Sequence, residues 1–177
     1  DPKEFLEMLK IDLFHDEIFV FTPTGDVMQL VENATPIDFA FEVHSEVGLK
    51  CKGAKINGHI VPLNTNLKNG DTVEIITSEN KNPSYAWLQI VQMPKSKNHI
   101  KRWIKNNEHK EKISLGKEIL EKGLRKLKKI VLLTDIKNKL DLLDISNEEQ
   151  LYVDLSNGKF TVKDLVSKLA VNIALPS

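Results

Sequence analysis

Cysteine is nearly absent from this 177-residue chain, with Cys51 standing alone. One thiol forms neither an internal disulfide nor a thiolate zinc cage, which fits a reducing compartment. Long apolar runs are missing too. Nothing approaches the roughly 18 consecutive apolar residues of a membrane span, so no membrane partner is expected. The 8 glycines show no period, which excludes a fibrous repeat, and there is no internal repeat or low-complexity tract. Asp1-Pro2 opens the chain without a charged or apolar leader, so no targeting peptide is visible, and such a start is expected of an excised piece. Hydrophobic residues make up 41%, too many for a disordered chain and enough for two small domains.

Net charge is zero, but it is segregated along the chain. Residues 1–80 hold six lysines against fourteen carboxylates, a balance of −8. Residues 81–130 hold fourteen cations against four glutamates, +10, and residues 131–177 hold −2. The basic middle suits phosphates, although a solvated helical face would carry the same charges. Lys95, Lys97, Lys101, Arg102 and Lys105 crowd one short helical window, which favours a binding patch. Lys117, Lys122, Arg125, Lys126, Lys128 and Lys129 are mixed with acids. Glu118–Lys122 and Glu121–Arg125 stand four apart in the order that stabilises a helix, so this second group reads as structural.

The first 80 residues predict a small mixed domain. Ile18–Thr22 is dense in β-formers, Pro23–Asp26 is a turn, and Val27–Leu30 returns as a second strand. Thr35-Pro36-Ile37-Asp38 is a capping box with proline at the first helical position, opening a helix over 36–47 that Gly48 is expected to stop with a left-handed backbone. Strands follow at Gly53–Asn57, Ile60–Pro62 and Thr72–Ile76, with Asn57-Gly58 as a type I′ turn. One helix over one mixed sheet, in the order β-β-α-β-β-β, is the β-grasp arrangement. Helical periods take over from residue 83: Ser84–Gln92, Lys95–Asn106 and Lys110–Lys129, with a break expected at Asn106-Asn107. Capping boxes at Ser146–Glu149 and Thr161–Asp164 start two more helices, with a turn at Asn157-Gly158.

The sequence offers no catalytic centre. It has no phosphate loop, dinucleotide fingerprint or nucleophile elbow. None of the five histidines pairs with another at metal-ligand spacing, and His15 sits in a polar approach to the first strand. Lys50 and Lys52 flank Cys51 and would lower its pKa, although a lone cysteine at a strand start is more often a small apolar side chain. His44 lies near the end of the 36–47 helix. It either favours the negative helix terminus or contacts an unpaired base, since imidazole both stacks and hydrogen-bonds.

Five segments then resemble a known module in order: Val20–Val27, Thr35–Ala40, Val43–Gly48, Gly53–Gly58 and Asn69–Thr77. They are similar to the TGS domain, and more narrowly to that of the long RelA/SpoT homologues, the (p)ppGpp synthetase/hydrolases of the bacterial stringent response. Asn82-Pro83-Ser84 with Trp87-Leu88, Ser96-Lys97 through Ile100–Lys105, and Gly116–Leu120 resemble the helical domain that follows TGS in those proteins. The resemblance implies an α+β chain. Its parts are the tail of a synthetase region at 1–17, a ubiquitin-like β-grasp TGS domain at 18–80 and an all-α helical domain at 81–177.

It also implies recognition of the CCA 3′ end of deacylated tRNA in the ribosomal A site. His44 stands where the family's CCA-contacting histidine does, with Ser45 beside it. Lys95, Lys97, Lys101, Arg102 and Lys105 would contact tRNA phosphates. The family's hydrolase and synthetase domains have no counterpart in these residues. A regulatory region is therefore expected, acting in the cytoplasm on the enzyme's own catalytic domains, with no catalytic residue, metal or cofactor of its own. The parent would be a GTP pyrophosphokinase, a (p)ppGpp 3′-pyrophosphohydrolase or both. The alternative is a protein-interaction module that docks on the catalytic half or another protein without touching tRNA.

Overall fold

The computed structural model describes residues 1–7, 16–127 and 133–174, so His15, Lys128 and Lys129 and residues 8–15 of the expected 1–17 tail lie outside the described residues. The chain forms two compact units, Asp1–Lys105 and Asn106–Ser177. The elements of the first are β1 (Glu17–Phe21), β2 (Val27–Val31), α1 (Pro36–Val43), α2 (Ser45–Leu49), β3 (Cys51–Ile56), β4 (His59–Val61), β5 (Val73–Thr77) and α3 (Trp87–Ile90). Helix α4 (Pro94–Leu127) begins there and continues into the second unit, which adds α5 (Leu133–Lys137), α6 (Glu148–Ser156) and α7 (Val162–Ala174).

The first unit is an α+β grasp fold. β1 and β2 pair antiparallel from Glu17↔Val31 to Phe21↔Val27. A second antiparallel ladder runs β4-β3-β5. The two ladders meet at a parallel bridge, Phe21↔Thr72, where the Phe21 N–H donates to the Asp71 carbonyl at 2.8 Å. Asn57 and Gly58 have φ of +52° and +83°, as the type I′ turn requires. The strands turn Ile18, Val20, Leu30 and Val73 inward against Phe39 of α1.

The helix expected at 36–47 is two helices. The chain breaks at His44, whose extended backbone (φ −170°, ψ 147°) separates α1 from α2. Gly48 does not stop a helix with a positive φ. It lies inside α2, and a Cβ there would sit 2.2 Å from the Phe41 ring, so the glycine serves a close approach.

Residues 81–105, expected with the helical domain, pack in the first unit. Trp87, Val91, Ile100 and Ile104 share a core with Ile37, Ala40, Phe41 and Cys51. Helix α3 is shorter than the expected Ser84–Gln92. Asp38 fastens the start of α4. Its buried carboxylate accepts from the Thr35 N–H (3.0 Å) and hydroxyl (3.1 Å), the Gln92 N–H (2.9 Å), the Met93 N–H (3.1 Å) and the Ser96 hydroxyl (2.7 Å). One carboxylate thus serves the first turns of two helices, where unpaired donors gather.

Helix α4 has no break at Asn106-Asn107. Neither residue is glycine or proline, and the Asn107 amide donates to Glu111 at 3.3 Å, one turn on, which keeps the side chain from competing with the backbone. In the second unit α4 packs on α6 and α7 around Leu120, Leu151, Leu155, Leu165 and Leu169. The approach is close: a Cβ on Gly116 would lie 1.9 Å from the Tyr152 carbonyl oxygen, and one on Gly123 would lie 2.6 Å from Val162. Helix α6 is capped by Asn147, whose side chain accepts from the Gln150 N–H at 2.8 Å, and not by Ser146. The Thr161/Asp164 box forms as expected, with reciprocal bonds of 2.9 and 3.1 Å. Glu118–Lys122 pairs at 2.8 Å, whereas Glu121–Arg125 is not among the ion pairs of the described residues. No helix among the described residues is long and apolar enough to cross a membrane.

Candidate nucleic-acid interface

His44 is exposed and occupied at one nitrogen only. Its backbone N–H closes α1 by donating to Ala40, and its Nδ1 accepts the Glu46 N–H at 3.1 Å, which caps α2. An Nδ1 that accepts carries no proton, so the neutral ring must hold its hydrogen on Nε2. The α1–α2 break therefore presents an N–H donor and an open imidazole face to solvent. Ser45 follows as the first residue of α2 and is half-buried.

The five cations expected to form one patch follow one another around the side of α4 opposite its buried stripe. At 3.6 residues per turn, Lys95 and Arg102 share one flank of that side and Lys97, Lys101 and Lys105 continue it, with Arg102 and Lys105 three residues apart as surface neighbours. Ser96, Ile100 and Ile104 form the buried stripe. Lys95 marks the flank nearer the α1–α2 break, for its ammonium is 3.6 Å from Glu42. Among the described residues, Lys97, Lys101, Arg102 and Lys105 make no ion pair.

Sequence reasoning passed over His99, which stands between Lys95 and Arg102 on the same flank. Its ring stacks on Phe41, with centroids 5.5 Å apart and planes 8° from parallel. Burial, then Arg102 and Lys95, hold this imidazole below its usual range. The i, i+4, i+7 spacing of the three residues was the signal available in the sequence.

Cys51 does not have the setting of an activated thiol. It is buried, and desolvation pushes its pKa up to about 11, outweighing the lowering by Lys81 and by the hydrogen bond to Gly53. No group of three or more metal-ligating side chains occurs among the described residues. A shallow apolar groove of about 210 Å³ lies between β5 and the two short helices, lined by Pro23, Phe39, Val43, Val47, Val73 and Ile75.

Family models match both units. Residues 18–77 match the TGS domain and residues 103–170 match the RelA/SpoT AH domain. The chain is 42% identical over 173 residues to a GTP pyrophosphokinase of Myxococcus xanthus, covering 96% of this chain and 23% of the relative. It is 45% identical over 167 residues to a guanosine-3′,5′-bis(diphosphate) 3′-pyrophosphohydrolase of Aquifex aeolicus, covering 94% and 24%. A bifunctional (p)ppGpp synthase/hydrolase RelA of Mycobacterium tuberculosis is 38% identical over 182 residues, covering 98% and 24%. The chain thus spans about a quarter of the length of the curated relatives it matches. With a grasp unit of the first kind running into a helical unit of the second, the chain belongs to the RelA/SpoT homologues and represents their TGS–AH region.

Proposed function

We propose that this region is the regulatory sensor of a (p)ppGpp synthetase/hydrolase. It reads the CCA 3′ end of deacylated tRNA on the ribosome and relays that state to catalytic domains of the longer, cytoplasmic protein. The relatives' names support a parent that is a GTP pyrophosphokinase, a 3′-pyrophosphohydrolase or both.

The observation that carries the reading is His44. An exposed ring with Nδ1 engaged and the Nε2–H outward is suited to stack on an unpaired base and donate to its acceptor edge. The segment around it is acidic, so attachment through phosphates alone is weak there and base contacts carry more of the affinity. Selection for the free 3′ hydroxyl is steric, because an esterified amino acid collides with the domain. Phosphate attraction falls to α4, through Lys95 and Arg102 on the near flank and Lys97, Lys101 and Lys105 further round the same side.

Titration with deacylated and aminoacylated tRNA, with and without ribosomes, tests this. Deacylated tRNA should bind more tightly. His44→Ala should weaken binding with the salt slope unchanged, whereas neutralising Lys95 and Arg102 should flatten the slope. Identical slopes in all variants would sink the division of labour. The apolar groove beside β5 supports a second reading, docking on the enzyme's own catalytic half. Equal binding of both tRNA forms would favour it.

A further inference from the structure

Lys95 and Arg102 on the near flank of α4 have a part in the proposed function, but His99, which stands between them, does not. Lys95, His99 and Arg102 follow one another at successive turns. The His99 ring is stacked on Phe41 and is half-buried, so part of it faces solvent. Arg102 is exposed and makes no ion pair. Two cations flanking an imidazole on one rigid helix face make a setting that suits an oxyanion.

We propose that Lys95, His99 and Arg102 form a phosphodiester-binding site in which His99, held by Phe41, donates a ring N–H to a phosphate oxygen while Arg102 supplies the permanent charge. That the phosphate belongs to the RNA strand ending at His44 rests on the proposed function. The anion site itself does not.

The chemistry is specific to an anion. Burial, and then Arg102 and Lys95 on its own helix, disfavour a proton on His99. From α1, Glu42 offsets Lys95 alone, at 3.6 Å, and the Asp38 carboxylate is already taken by five donors. A bound phosphate cancels the repulsion, so His99 takes up a proton as the phosphate arrives. The site then binds more tightly as pH falls through the imidazole range. Lys97, Lys101 and Lys105 lie further round the same side of α4.

The test is an NMR titration of ring protons in the 177-residue chain, His99 assigned by substitution, between pH 5 and 8. One arm adds a 5′-phosphorylated CCA trinucleotide and another inorganic phosphate. The proposal expects each anion to raise the apparent pKa of His99. It expects His99→Gln to lower trinucleotide affinity about threefold to tenfold at pH 6, and much less at pH 8. Arg102→Gln should weaken binding at both pH values.

Trinucleotide binding that leaves His99 unmoved would overturn the site while sparing the CCA reading. Phosphate moving His99 when the trinucleotide does not bind would uphold the site and remove its RNA assignment. If neither anion moves the ring, the site does not exist.

Discussion

In the first unit the start of α4 is held by a buried charge. In the second the same helix lies against α6 and α7 at positions with no side chain at all. Asp38 gathers five donors from three segments, and its value lies in leaving none of them unpaired. Gly116 and Gly123 contribute nothing polar and allow two backbones to approach. A polar clasp is specific and fails when one atom changes, because every donor it served is orphaned together. A glycine notch tolerates changes around it but not in it: a new methyl would meet the Tyr152 backbone at Gly116 and the Val162 side chain at Gly123.

The largest effect should come from breaking the clasp. Asp38→Ala strands several buried donors and should cost about 4 kcal/mol or more. Denaturation should show the loss in the transition that exposes Trp87, and a loss below 1 kcal/mol would mean water replaces the carboxylate. Gly116→Ala should follow at about 3 kcal/mol, since α6 must move to admit the Cβ. Hydrogen exchange should place that loss in residues 106–174 and leave the grasp unit protected.

A smaller effect separates capping from recognition at His44. His44→Ala removes the α2 cap and should cost about 1 kcal/mol. His44→Asn can accept the Glu46 N–H and should restore that stability, yet it should bind deacylated tRNA as poorly as the alanine variant. Recovery of binding with asparagine would show that the cap was all the ring supplied.

The smallest effect is in acid, and it sharpens the contrast between units. His99 has a lower proton affinity folded than unfolded, so its contribution is complete above about pH 6.5 and declines as pH falls through the imidazole range. In the helical unit, a hydrogen bond from Tyr152 and then the Lys137 ammonium hold Glu148 below the usual carboxylate range. Its contribution is complete above about pH 4.3 and is lost only below that. The grasp unit should therefore begin to soften at a higher pH than the helical unit, as separate probes in each would report.

Much of this fold was legible locally. The Asn57-Gly58 turn, the Thr35/Asp38 box and the Thr161/Asp164 box each depend on neighbours a few residues apart, and the sequence displays those. What escaped depends on distant partners. Gly48 looks like a helix stop until Phe41 is seen beneath it. Asp38 looks like a cap for one helix, and only the fold brings Gln92, Met93 and Ser96 to the same carboxylate. The Asn106-Asn107 break failed because asparagine only mildly disfavours a helix, and tertiary packing on both sides outweighs that. At the candidate site, composition located the cations near one another. It could not say that His99, between Lys95 and Arg102, stacks on Phe41.

Phe41 is touched from two directions, by α2 at Gly48 and by α4 at His99. That ring is the floor of the imidazole next door, so any coupling that passes through it is reciprocal: an occupant at His44 would change affinity at His99 by the same factor that it feels in return.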